Sequence, residues 1–256
     1  TPKPSSAASD VYKRQVNIMQ YVTIQSTGNS VDFGDIPNSG NGGGNTHCSQ
    51  IRGIIGQCSD GSNSDVNRFI TMSTLGNAAD FGDQTSTATS ARGVGGNSVR
   101  GIAFKNNNSI DFLTIATLGN SLDFGDLTRA RRYGTSLASP TRAVTSGGTG
   151  DSYSSTDAGA RMTDIVTIAS TGNAIDFEPL SNDAQQMAGF TDGIRGIFLL
   201  TTPYATSTSV NKIDQLNLVS GGNAINHGEL QRLTAAQPAG GCNHVRGIAA
   251  GGFCLL

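Results

Sequence analysis

An eight-residue signature recurs five times, 43 to 53 residues apart, and a repeat of that length constrains this chain more than any other feature. Self-similarity at such a period means stacked supersecondary units, each too small to bury its own apolar face. The first copy reads Gly28-Asn29-Ser30-Val31-Asp32-Phe33-Gly34-Asp35, and residues 76–83 and 119–126 keep the pattern. Residues 172–179 end in Phe177-Glu178-Pro179, and residues 222–229 carry Asn226-His227-Gly228-Glu229. An Arg-centred segment follows each copy. The step from the signature Asn (29, 77, 120, 173, 223) to that Arg (52, 100, 142, 195, 246) is always 22 or 23 residues. From Arg to the next Asn it varies between 20 and 31. One half of the unit is therefore fixed in length, and the other half holds an elastic loop.

The fixed half reads as strands. Val22/Ile24, Ile70/Met72, Leu113/Ile115, Val166/Ile168 and Leu216/Leu218 flank Thr23, Thr71, Thr114, Thr167 and Asn217. Apolar, polar, apolar is the period-two pattern of a strand with one buried face. Gly-Asn then supplies residues that tolerate positive φ in a tight hairpin. The signature Phe (33, 81, 124, 177) should point into the core, with the following Gly ending or bulging the strand. His227, which replaces one such Phe, reads as a degenerate core position. Four residues before each Arg stand Cys48, Gly96, Ala138, Thr191 and Cys242, all small, as a crowded inner position requires.

Composition agrees with many short strands and turns: 34 glycines, no Trp and 36% hydrophobic residues, with Ser, Thr and Asn abundant. About four strands per unit predict an all-β chain, a β-propeller of about five blade equivalents of four short antiparallel strands, with a β-solenoid as the alternative. At this point the chain resembles the kelch family. There one blade strand ends in Gly-Gly, another carries an aromatic motif, and an Arg opens the next blade. Gly147-Gly148 and Gly251-Gly252 match the double glycine, Arg129 and Arg232 lie near the blade-opening Arg, and the signature Phe stands in place of the usual Trp. The double glycine is missing from the units of Arg52, Arg100 and Arg195. The repeat style is also similar to that of large kelch-like proteins of bacteriophages, especially marine ones. That implies a virion or tail-fibre component, hence a virion or extracellular location.

The two ends read differently from the rest. Residues 5–15, Ser-Ser-Ala-Ala-Ser-Asp-Val-Tyr-Lys-Arg-Gln, resemble one reading frame of the adapter used in transposase-based sequencing libraries. Cys254-Leu255-Leu256 resembles the same adapter read from the other side. The expectation is that 1–15 and 254–256 are non-native and add nothing to the core, and that 16–253 is a fragment of a longer repeat protein. On that reading the native chain starts in the third strand of one blade and ends after the second strand of another. The two halves could complete each other and close a five-bladed ring.

Charge narrows the function classes. The formal net charge is −2, and setting aside Lys3, Lys13, Arg14 and Asp10 makes it more acidic, with Lys105 and Lys212 the remaining lysines. Such a surface is a poor match to a phosphate backbone, so no nucleic-acid partner is expected. No apolar run is long enough to span a bilayer. His47-Cys48 and Cys242-Asn243-His244 lie in different repeats without paired ligand spacing, so neither a metal site nor any other cofactor is expected. Cys48 and Cys58, if they flank one extended strand, sit roughly 30 Å apart and cannot bridge. Asp-Phe-Gly recurs in three units, and as Asp-Phe-Glu in a fourth, without the other kinase motifs.

The repeated Arg52, Arg100, Arg142, Arg195 and Arg246 and the carboxylates Asp35, Asp83 and Asp126 are expected to be structural. The carboxylates, with Asp32, Asp80 and Asp123, should cap turns and pair with the arginines as inter-strand bonds. No catalytic residue stands out. The expected function is non-enzymatic: a binding or structural propeller whose elastic loops, 57–66, 105–109, 146–162 and 199–211, face a receptor protein, a surface glycan or a neighbouring virion subunit. Asp60, Lys105, Asp151, Tyr153 and Tyr204 are the contact candidates. The alternative is a propeller enzyme, hydrolase or oxidase-like, with its site at the mouth of the ring.

Overall fold

The computed structural model describes residues 17–37, 46–56, 65–87, 93–150, 158–201, 210–231 and 238–251. Among the described residues it is all-β apart from one 3-10 turn, Ala158–Arg161. Unit I contains β1 (Ile18–Tyr21) and β2 (Val31–Asp35). Unit II contains β3 (Thr46–Cys48), β4 (Arg52–Ile55), β5 (Val66–Thr71) and β6 (Ala79–Asp83). Unit III contains β7 (Gly93–Gly96), β8 (Arg100–Phe104), β9 (Ser109–Thr114) and β10 (Leu122–Asp126). Unit IV contains β11 (Thr135–Ala138), β12 (Arg142–Ser146), β13 (Thr163–Thr167) and β14 (Ile175–Phe177). Unit V contains β15 (Ala188–Thr191), β16 (Arg195–Leu199), β17 (Lys212–Asn217) and β18 (Ile225–Glu229), and unit VI contains β19 (Ala239–Cys242) and β20 (Gly247–Ala250).

Each full unit is one four-stranded antiparallel meander, with its strands in chain order. This is the expected arrangement of four full units flanked by two halves. Ladders form within units and every one is antiparallel, which is not how the coils of a solenoid stack. The two halves do not complete each other, contrary to the sequence expectation: β1–β2 and β19–β20 are separate two-stranded sheets. Among the described residues no helix is long and apolar enough to cross a membrane.

Local chemistry explains the hairpins. The turn between first and second strands is built five times by the side chain three residues before the repeat Arg. Ser49 Oγ, Asn97 Oδ1, Ser139 Oγ, Asp192 Oδ1 and Asn243 Oδ1 each accept the two backbone N–H groups that precede the strand, at 2.7–3.3 Å. The backbone bond from Arg195, then that from Ile194, pulls the Asp192 carboxyl down to about 2. Between third and fourth strands the ladder slips by one residue at the signature Gly, a β-bulge seen in units I, II, III and V. Asp32 and Asp80 cap it by accepting the Gly34 and Gly82 N–H groups at 3.0 and 3.1 Å.

Consecutive sheets pack face to face, and the core lies between them. Ile54, Phe81, Leu113 and Ile115 fill the junction of units II and III. Ile102, Phe104, Phe124, Val166 and Ile168 fill that of III and IV. Leu137, Val144, Phe198, Leu216 and Leu218 fill that of IV and V. Each fully buried side chain of this size contributes about 1.5–3 kcal/mol. The first strands β3, β7, β11, β15 and β19 stand side by side in that order.

Candidate functional site

Most of the repeat residues singled out from the sequence join units. At three successive junctions the signature turn of one unit binds the outer strand of the unit before it. Gly76, Gly119 and Gly172 donate their N–H to Phe33, Phe81 and Phe124 carbonyls at 2.7–2.9 Å. Asn77, Asn120 and Asn173 Oδ1 accept the Asp35, Asp83 and Asp126 N–H at 2.9–3.0 Å. A Cβ at Gly82, whose φ is +135°, would lie 2.5 Å from the Gly119 carbonyl oxygen, so the signature glycine is required by close backbone approach.

The repeat arginines take a different partner from the one expected. Arg52 Nη1 donates to the Ile115 carbonyl at 2.7 Å, Arg100 Nη1 to Ile168 and Ala169 carbonyls at 3.0 Å, and Arg142 Nη1 to Val219 carbonyl at 2.9 Å. Each bond reaches into the next unit. Arg52 and Arg100 also lie 4.8 Å over the rings of Phe69 and Phe112. None of the ion pairs among the described residues joins a repeat Arg to Asp35, Asp83 or Asp126. Arg195 pairs with Asp192 three residues away at 2.8 Å, and Arg246 is exposed. Carbonyls of a strand end win because they are held in place by the ladder, whereas an exposed carboxylate gains little from an ion pair.

The carboxylates that do carry buried bonds were not legible as a set. Asp111, Asp164 and Asp214, three residues before the repeat Thr or Asn, are buried. Each accepts the N–H and the hydroxyl of Thr85, Thr128 or Ser181, which stand two residues past the preceding signature. The recurring Asp and Thr/Ser at those offsets were the available signal. Two of the three also hold a buried cation. Lys105 Nζ lies 2.6 Å from Asp111 and bonds Thr85 and Ser86, and Arg131 Nη2 lies 3.0 Å from Asp164. Burial pulls the Arg131 guanidinium below its usual range, against the pull of Asp164. Lys105 is 1% exposed, which corrects its assignment as a loop contact. Asp60, Asp151, Tyr153 and Tyr204 lie outside the described residues.

The first strands also form a concave surface. Cys48, Gly96, Ala138 and Thr191, the four small residues counted back from each Arg, line one groove of about 420 Å³ together with Thr46 and Ser136. The position is thus open rather than crowded. Close strand approach sets the choice of small residues beneath it: a Cβ on Gly95 would lie 2.7 Å from Ala143 Cβ. His47 lies at the groove floor and is buried against the neighbouring unit, where a Cβ on Gly101 would meet its ring at 2.6 Å. Desolvation drops the His47 value to about 4, outweighing its bond to the Gly95 backbone, so the ring is neutral at pH 7. The groove lining then carries no charge and offers hydroxyl, amide and thiol groups.

Cys48 and Cys242 are free thiols. Among the described residues no group of three His, Cys, Asp or Glu side chains could hold a metal ion. The sequence matches no protein-family profile and no curated protein.

Proposed function

We propose that this chain is a non-enzymatic, kelch-like β-propeller array that binds and scaffolds, presenting its first-strand groove and its elastic loops to a neutral glycan or a protein surface. The observation that carries this reading is a division of labour within the unit. The repeated Arg52, Arg100 and Arg142, the signature Asn and Gly at three junctions, and the buried Asp are used in unit-to-unit ties, while the loops between second and third strands differ freely in length. Side-by-side first strands with face-to-face sheets support the propeller geometry. An uncharged groove lined by small residues suits hydroxyl-rich or backbone groups better than phosphate. The bacteriophage resemblance supplies the setting: a virion or tail-fibre component meeting a host surface or a neighbouring subunit.

The test is binding to purified host-envelope glycans and host surface proteins by titration calorimetry. Ala138→Arg puts a cation into the groove, and Gly/Ser grafts replace residues 57–64, 151–157 and 202–209. At least one of these changes should weaken binding tenfold or more while circular dichroism stays that of the parent chain. Equal binding by all of the variants removes the reading.

A further inference from the structure

The third strands carry one position at which otherwise matching units differ. Two residues before the repeat Thr or Asn stand Tyr21, Phe69, Phe112, Ile165 and Gln215. In units II and III the ring at this position lies between two fixed partners. The repeat arginine sits 4.8 Å over it, Arg52 over Phe69 and Arg100 over Phe112. The signature Phe meets it edge to face, Phe81 at 6.1 Å and Phe124 at 5.9 Å. A guanidinium on the face and a second ring at the edge are both favourable neighbours for a π system. Tyr21 makes the same edge contact with Phe33 at 6.1 Å in unit I.

Unit V replaces both rings of the pair by polar side chains, and His227 Nδ1 hydrogen-bonds Gln215 Oε1 at 3.1 Å. His227 is exposed, which corrects its reading as a core position. Unit IV changes only one member. It keeps Arg142 and Phe177 but has Ile165 where the ring between them stands elsewhere. The register is unchanged: Ile165 opposes Val144 as Phe112 opposes Ile102 and Phe69 opposes Ile54. Arg142 donates to the Val219 carbonyl in the next unit, as Arg52 and Arg100 donate into the units after theirs. It is therefore anchored in the same way as the two arginines that stack on rings. A cavity of about 220 Å³ opens here, bounded by Arg142, Ile165, Thr167, Asn173, Ile175 and Phe177. Thr167, Asn173 and Ile175 are exposed, so a ligand can reach it from solvent. An apolar cavity of about 150 Å³ is enough to hold a benzene ring.

We infer that this slot takes an aromatic side chain, Phe or Tyr, from a protein partner. The incoming ring lies beside Ile165, under the Arg142 guanidinium and against Phe177, and so supplies from outside what Phe112 supplies within unit III. A ring is favoured over an aliphatic group of equal size because only a π face gains from the guanidinium. A polypeptide side chain is the occupant because that is what fills the equivalent space in units II and III. The slot shares no residue with the first-strand groove, so its failure leaves the reading of the groove standing.

The experiment titrates the full isotope-labelled chain with N-acetyl-tyrosinamide, phenol and cyclohexanol and follows the backbone amide resonances. Both aromatic probes should give saturable shifts at Thr167, Asn173 and Phe177, and cyclohexanol should bind about threefold or more weakly than phenol. Ile165→Phe provides the ring from within, so it should weaken both aromatic probes by about tenfold or more. The variant should also melt no lower than the parent, since units II and III already accommodate Phe at this position. Absence of saturable shifts at those residues overturns the inference, as does cyclohexanol binding as tightly as phenol. Acceptance of phenol with exclusion of N-acetyl-tyrosinamide overturns it too, because a partner's side chain could not then enter. Undiminished binding by Ile165→Phe overturns it, and so does a variant that melts well below the parent, because a slot shaped for a ring has room for this one.

Discussion

His47 shows how a single residue acquires a pH-dependent role from its surroundings. Its ring is buried over the backbone of Gly101, and its folded value of about 4 lies below the 6.5 of an open chain. The unfolded chain therefore binds the proton first as pH falls. The stability that the neutral ring provides is complete above 6.5, declines between 6.5 and about 4, and is lost below. The size of that loss is about 3 kcal/mol at most. Urea unfolding at pH 7 and pH 4.5 should show the drop, and His47→Phe should flatten it if the aromatic fills the same space. Asp192 acts in a separate window, since its carboxyl, held near 2, loses its contribution below the ordinary 3.8. The sequence showed His47 only as a doubtful zinc ligand, because burial of a ring against the next unit is a tertiary event.

At the scale of an element, the strand pair β8–β9 of unit III is tied to unit II by a buried ion pair with a hydroxyl bridge. Lys105 and Asp111 are 0% and 1% exposed at their side chains, and Thr85 bonds both. Removing one partner leaves the other charge buried without compensation, which costs about 3–5 kcal/mol. Asp111→Ala and Lys105→Met should each destabilise by that order in urea unfolding. The double variant should cost at least about 2 kcal/mol less than the sum, because it leaves no orphaned charge. Simple addition of the two effects would show that the pair is not coupled. Units II and V vary the same position: Arg68 stands at the site of Asp111 in II, and Asp214 in V accepts its bonds from Ser181. Lys105 was read as a loop residue because it ends a strand beside a short turn, where side chains usually face water. Its hydroxyl and carbonyl acceptors, on Thr85 and Ser86, come from the preceding unit, and only the packing of units II and III brings them to it.

For the whole molecule, stability follows from nearest neighbours. Each unit rests on the one before and the one after, so units III and IV have a full junction on both sides, while I and VI have one. In such arrays stability is a sum of unit and interface contributions, and opening begins at the ends. Hydrogen exchange should be slowest in β8 and β12 and fastest in β1 and β20. Uniform protection from end to end would contradict a nearest-neighbour array. The junction of IV and V departs from the signature: Pro179 has no N–H to offer Asn223 where Asp35, Asp83 and Asp126 donate to theirs. Packing of Leu137, Phe198, Leu216 and Leu218 holds that junction together.

The repeat signature by itself determined the unit, its antiparallel strands and the count of four full units between two halves. These depend on φ preferences and period-two burial, which are local and written in residue type. It did not determine the place of the hairpin: the turn forms at Thr71–Thr74, Thr114–Thr117 and Thr167–Ser170, ahead of Gly-Asn, whose groups bind the preceding unit. The tertiary structure decided the rest. It chose backbone carbonyls for Arg52, Arg100 and Arg142, and acceptors of that kind carry no residue identity that a sequence could display. It turned Lys105 inward, opened the small-residue positions into a groove, and kept the two half-units apart. Each of these depends on which surfaces meet, and pairing between distant surfaces is set by the packing of whole sheets rather than by any one segment.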